Sequence, residues 1–127
     1  MFKKIHYSEK APKPIGPYSQ AVEVDGMIYC SGQIPLDAAT NEVVKGGVDV
    51  QTIKVMQNIE EVLKSADLTF SNVIKTTIFL TSMTDFATVN EVYAGYFKAA
   101  PPARSTVAVA GLPKGVQVEI EVIARRL

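Results

Sequence analysis

Residues 116–124 read Val-Gln-Val-Glu-Ile-Glu-Val-Ile-Ala, and no other stretch constrains the fold as strongly. Successive side chains of a strand leave on opposite faces. Val116, Val118, Ile120, Val122 and Ala124 therefore share one face, and Gln117, Glu119 and Glu121 share the other. A one-residue slip would turn the apolar set into water, so this strand demands a sheet with one covered face and one bare face.

The rest of the chain supplies the cover. Ala21–Val24 and Met27–Cys30 are β-prone runs joined by Asp25-Gly26, a dipeptide that tolerates the positive φ of a tight hairpin turn. From Val48 to about Ala66 apolar residues recur at three- and four-residue steps (Val50, Ile53, Met56, Ile59, Leu63), which predicts a helix with Asp49 as its N-cap. Residues 73–80 are β-branched and aromatic and predict a strand. A second helix is expected over 85–98, with Phe86, Val89, Tyr93 and Phe97 on one stripe and Pro101-Pro102 ending it. Strands over 104–109 and 116–124 complete the order β-β-α-β-α-β-β, with a short leading strand near Lys3–His6. Residues 10–18, holding three prolines, form a loop or arm.

Two helices and one sheet make an α+β, two-layer α/β sandwich with both helices on one face. The 127 residues fit a single domain spanning 1–127. Semi-apolar positions on the bare face, such as Thr77 and Phe79 or Thr106 and Ala108, argue for self-association. Thirteen basic and thirteen acidic residues cancel, which argues against nucleic-acid or membrane partners. One cysteine, the lack of a signal-peptide apolar run and the lack of a stretch of about 20 apolar residues lead to the expectation of a soluble cytoplasmic protein.

Arg104 follows Pro101-Pro102-Ala103 at the start of a strand. If that strand pairs antiparallel with the last one, the register that avoids burying an unpaired guanidinium sets Arg104 and Thr106 beside Glu119 and Glu121 on the bare face. Two accounts fit this grouping. One is a cross-strand ion pair on a solvated surface. The other is a small-molecule site, in which the arginine fork grips a carboxylate and a glutamate activates water. His6 is the sole histidine and has no ligand cluster, so no metal site is expected. Cys30 reads as a small buried hydrophobe, Tyr18 as either packing or a positioned phenol, and Asn90 as a polar position on the second helix.

Four blocks carry a resemblance over essentially the whole chain: AP-x-P-IGPYSQA, YCSGQIPLD, TVNEVY, and PPARSTVAVAGLPKGVQVEIEVIA. Together they resemble the reactive intermediate deaminase A family (RidA, also called YjgF). The resemblance implies a chorismate-mutase-like fold, a homotrimer whose sheets surround a central barrel, and active sites in clefts between subunits. It implies hydrolysis of 2-imino and enamino acids, such as 2-aminoacrylate and 2-aminocrotonate, to 2-keto acids and ammonia, with no metal or cofactor. Carried over by position, Arg104 binds the substrate carboxylate and Glu119 positions or activates the water. Tyr18 lines the cleft, Ser31 and Gly32 of the SGQ motif approach the substrate, Gly32 through its backbone, Asn90 is a further cleft residue, and Glu121 has no comparable role. Members often carry cysteine two residues after the arginine; Thr106 stands there instead, which rules out a thiol nucleophile and keeps the backbone contact. A carboxylate-binding regulatory module and a ribonuclease or translation inhibitor are the alternative activities.

Overall fold

A computed structural model of the chain describes residues 2–127. Its elements are β1 (Lys4–His6), β2 (Ala21–Val24), β3 (Met27–Cys30), α1 (Val48–Ser65), β4 (Val73–Leu80), α2 (Phe86–Ala94), β5 (Ala103–Ala108) and β6 (Val118–Arg125). The strands form one six-stranded mixed sheet in the order β1-β2-β3-β6-β4-β5. Asp25 and Gly26 turn the β2–β3 hairpin at φ 51° and 78°, as the dipeptide predicts.

β6 lies between β3 and β4 and is antiparallel to both. Val118, Ile120, Val122 and Ala124 are all buried, against α1 and the rest of the core. Glu119 and Glu121 point to the opposite, uncovered face, opposite Phe79 and Thr77 of β4. Both helices cover the first face alone. The second carries Ile5, Tyr29 and Val107, which are 50%, 49% and 43% exposed.

The expected β5–β6 pair does not form. β5 instead pairs parallel with β4 and becomes the sheet edge, with Arg104 opposite Thr76 and Thr106 opposite Ile78. The cause is the β4–α2–β5 connection: a crossover through a helix delivers the next strand parallel to the first. Thr76 and Ile78 face the helices, and so do Arg104, Thr106 and Ala108. The expected grouping of Arg104 and Thr106 with the glutamates on the bare face is therefore incorrect. The desolvation argument behind it does not apply at an edge strand, where Arg104 stays exposed.

Helix α1 also differs in detail. Val50 and Ile53 are 40% and 41% exposed, whereas Gln51, Thr52 and Asn58 are buried. Asn58 donates to the carbonyls of Ile34 and Leu36, and Gln51 accepts from the backbone N–H of Gln117. Backbone groups of loops thus set the helix rotation. Gly47, not Asp49, occupies the N-cap, and α2 stops at Ala94 instead of continuing to residue 98.

Two polar clusters fasten the N-terminal segment. Glu23 receives Nε and Nη2 of Arg126 at 2.8 and 2.9 Å, and His6 Nε2 lies 2.7 Å from the same carboxylate. Hydrogen bonds from Arg126, then His6, push the Glu23 carboxyl down to about 2. Its stabilising contribution is complete above the ordinary 4.5 and is lost as pH falls towards 2. Gln20, only 2% exposed, donates to the carbonyls of Ser8 and Pro12 and accepts from the Ser8 N–H. This one amide pins the proline-rich arm. Gln20→Leu removes all three bonds and should cost about 2–3 kcal/mol in chemical denaturation. Hydrogen exchange should rise across residues 8–18 before the β6 core opens.

Candidate functional site

The candidate residues fall into two groups on opposite faces of the sheet. The first lines a cleft of about 640 Å³ on the Glu119 side, walled by Tyr18, Ser31, Gly32, Gln33, Glu119 and Glu121 with Lys13 and Lys114 among its lining residues. The second lines a cavity of about 450 Å³ beneath α2, including Asn90, Tyr93, Phe97, Pro102 and Arg104. No residue lines both.

In the cleft, the backbone of Gln33 bridges to Ile120 of β6 through reciprocal hydrogen bonds of 2.9 and 3.2 Å. This keeps Ser31-Gly32 alongside β6 beyond the end of β3 and against Glu119. A methyl group on Gly32 would stand 2.9 Å from Glu119 Cδ and closer still to Oε2. Gly32 is thus required for space: only a bare Cα lets the carboxylate lie against the loop. The Ser31 hydroxyl donates to the Ser19 carbonyl at 2.6 Å, and the Ser31 N–H donates to the Gln20 carbonyl. Tyr18, half exposed, accepts from the Ile15 N–H at 3.3 Å, so its hydroxyl hydrogen remains available in the cleft.

Glu119 is half-buried. Desolvation, and secondarily the Glu121 carboxylate on the same face, raise its carboxyl above the ordinary 4.5. A carboxylate poised upward in this way is a stronger proton acceptor than a free one. Cys30 has the opposite character: burial pushes its thiol up to about 12, which leaves it unreactive near neutrality. Among the described residues no group of His, Cys, Asp and Glu could hold a metal ion.

On the other face, Arg104 donates from Nη1 to Asn90 Oδ1 at 2.7 Å and lies over the rings of Tyr93 and Phe86. Asn90 is therefore a partner of the arginine, and its polar position on α2 has that reason. The Thr106 hydroxyl oxygen is buried without a partner, next along β5 on the same face. Sequence reasoning did not find Lys13, Lys114 or Gln33 as cleft residues, because loops far apart in the chain bring them together. It placed Tyr93 in the core stripe, which is correct, and missed its contact with Arg104.

A family model described as Endoribonuclease L-PSP matches residues 8–126. The Myxococcus xanthus protein DfrA is 56% identical over 126 residues, covering 98% of this chain and 96% of its own. The 2-iminobutanoate/2-iminopropanoate deaminase of Mus musculus is 49% identical over 124 residues, covering 98% and 92%. The crystal structure of Escherichia coli TdcF with bound serine superposes with a TM-score of 0.93 at 42% identity, covering 98% of this chain and 99% of that one. The two-layer arrangement with both helices on one sheet face is thus that of these solved relatives.

Two measurements check the cleft geometry. A carboxyl NMR titration should place Glu119 above 4.5, and Glu121→Gln should move it down by removing the neighbouring charge. A raised carboxyl gives stability that is complete below 4.5 and declines as pH rises through its folded value. Gly32→Ala should leave the fold within about 1 kcal/mol of wild type while shifting the Glu119 resonance, because the displaced group is a side-chain end.

Proposed function

Because the chain belongs to the RidA/YjgF family, whose model is described as Endoribonuclease L-PSP, we propose that it hydrolyses reactive 2-imino acids to 2-keto acids and ammonia. The observation that carries this reading is the Glu119 carboxylate, raised by burial and held against Gly32 in an open cleft, with a second cleft offering an arginine that, among the described residues, no carboxylate occupies. Nearly 50% identity to a mammalian deaminase over almost the whole chain supports it. The serine bound to the E. coli relative supports an amino-acid-like carboxylate as the recognised group.

Arg104 and Glu119 lie on opposite faces of one sheet, so one small ligand cannot touch both within a chain. The site is therefore completed by a second copy, Arg104 of one protomer meeting the Tyr18–Ser31–Gly32–Glu119 cleft of another. The exposed Ile5, Tyr29 and Val107 on the bare face suit burial in such an assembly, and a closed homotrimer satisfies both requirements. Arg104 holds the substrate carboxylate through parallel N–H groups. Glu119 takes a proton from water as the oxygen attacks the imine carbon, giving a tetrahedral carbinolamine. Glu119 returns that proton to the imine nitrogen; the carbinolamine O–H proton then passes through the same carboxylate to the amine, the C–N bond breaks, and ammonia leaves as the ketone forms. Tyr18 and Ser31 contact the ligand, and the backbone near Thr106 and Gly32 closes around it. The uncatalysed reaction already proceeds in water, so positioning and one general base suffice.

The endoribonuclease description fits the geometry poorly. The net charge is zero, and each cleft offers few cations to neutralise a phosphate chain.

Added to a pyridoxal-phosphate-dependent dehydratase acting on threonine or serine, the protein should accelerate keto-acid release. Arg104→Ala should abolish that acceleration without unfolding. Glu119→Gln should lower it about 100-fold or more while retaining 2-oxobutanoate binding. Mixing unfolded Arg104→Ala and Glu119→Gln chains and refolding them together should restore part of the activity. An Arg104→Ala protein with full activity would sink the assignment, and an absence of recovery in the mixture would exclude a shared site.

A further inference from the structure

Arg104 is exposed and sits on an edge strand, yet its guanidinium is held on several sides. Its Cζ lies 5.0 Å from the centre of the Tyr93 ring and 5.6 Å from that of Phe86, and Asn90 accepts from Nη1 at 2.7 Å. Residues 86, 90 and 93 recur at four- and three-residue steps, so one stripe of α2 makes all three contacts. Tyr93 is itself fixed. It is 5% exposed, and its hydroxyl lies 2.7 Å from Oγ1 of Thr76, which is 1% exposed. Thr76 is the β4 residue registered opposite Arg104 on β5. Tyr93 thus spans two neighbouring strands, its hydroxyl on one and its ring on the arginine of the other.

The donor count is informative. Among the described residues no carboxylate pairs with Arg104, and neither Nε nor Nη2 makes a hydrogen bond. An aromatic face attracts a guanidinium without consuming N–H donors, whereas a neighbouring acid would occupy the fork. An unsupported arginine would also disperse over many rotamers, and ordering it would weaken every binding event.

We propose that Tyr93 is a positioning residue for carboxylate recognition: its ring, locked by the Thr76 hydroxyl and accompanied by Phe86, holds the Arg104 guanidinium so that its free Nε–Nη2 edge faces the carboxylate of a 2-imino or 2-keto acid. The role rests on reading Arg104 as the carboxylate clamp. Tyr93 itself touches no reacting atom, so its removal acts on binding and spares the chemical step. Loss of the ring should weaken carboxylate binding about three- to tenfold.

The test compares wild type with Tyr93→Phe, Tyr93→Leu and Thr76→Val, all screened by thermal melting. Arginine Nε–H NMR reads the guanidinium directly, through ring-current shift and slowed side-chain exchange, and titration with 2-oxobutanoate gives Kd. The expected result is a shifted Arg104 signal in wild type and Tyr93→Phe that collapses in Tyr93→Leu. Kd and KM should rise about three- to tenfold in Tyr93→Leu with kcat nearly constant, Tyr93→Phe should restore binding to near wild type, and Thr76→Val should fall between them. An unchanged Arg104 signal in Tyr93→Leu overturns the proposal, as does a collapsed signal with unchanged Kd. Should Tyr93→Leu fold poorly, Phe86→Leu, at a less buried ring, must reproduce the shift and Kd changes in the same direction or the proposal falls. A wild type that binds 2-oxobutanoate through this Tyr93-dependent arginine but releases no keto acid from imines refutes the deaminase reading alone.

Discussion

The structure depends on the burial of one face of β6. Its four inward residues are each at most 1% exposed, all four pair with β4, and Ala124 pairs with β3 as well. That placement ties the N-terminal hairpin to the C-terminal βαβ unit in one sheet. It also settles where Glu119 and Glu121 go, because a strand with a buried face has no freedom in its other face. The candidate general base is consequently fixed by the core beneath it.

The two candidate clefts are built by different means. The Glu119 cleft arises where the loop after β3 continues alongside β6: Gln33 bridges to Ile120, Gly32 lacks a side chain, and Gln20 holds the arm that brings Tyr18 across. The Arg104 cavity arises at the opposite edge from one stripe of α2. The cations of the first, Lys13 and Lys114, are point charges on loops; the raised carboxylate lines only the first and the arginine fork only the second. Their separation across the sheet is the physical reason for reading the site as shared between copies, and the apolar residues on the bare face agree with such an assembly.

The sequence made much of this legible. The hairpin at Asp25-Gly26, the strand over 73–80, the alternation of β6 and the two helices follow from turn chemistry and hydrophobic period, and all are present. The family blocks directed attention to Tyr18, Ser31, Gly32, Arg104 and Glu119 before any contact was visible. For Gly32 the SGQ motif suggested a backbone approach to the substrate; what the structure shows is another neighbour, the Glu119 carboxylate, in the space a Cβ would fill.

What the sequence by itself determined was local: which segments are strands or helices, and which residues of β6 share a face, because side-chain direction follows from backbone period alone. Pairing was beyond it. Whether β5 lies beside β6 or β4 depends on how the α2 crossover packs, a long-range choice with no signature in the strand itself. Only the tertiary structure therefore turned Arg104 away from Glu119 and onto Tyr93. The rotation of α1, with Val50 outward and Asn58 inward, was decided the same way, by loop carbonyls that no helical pattern records.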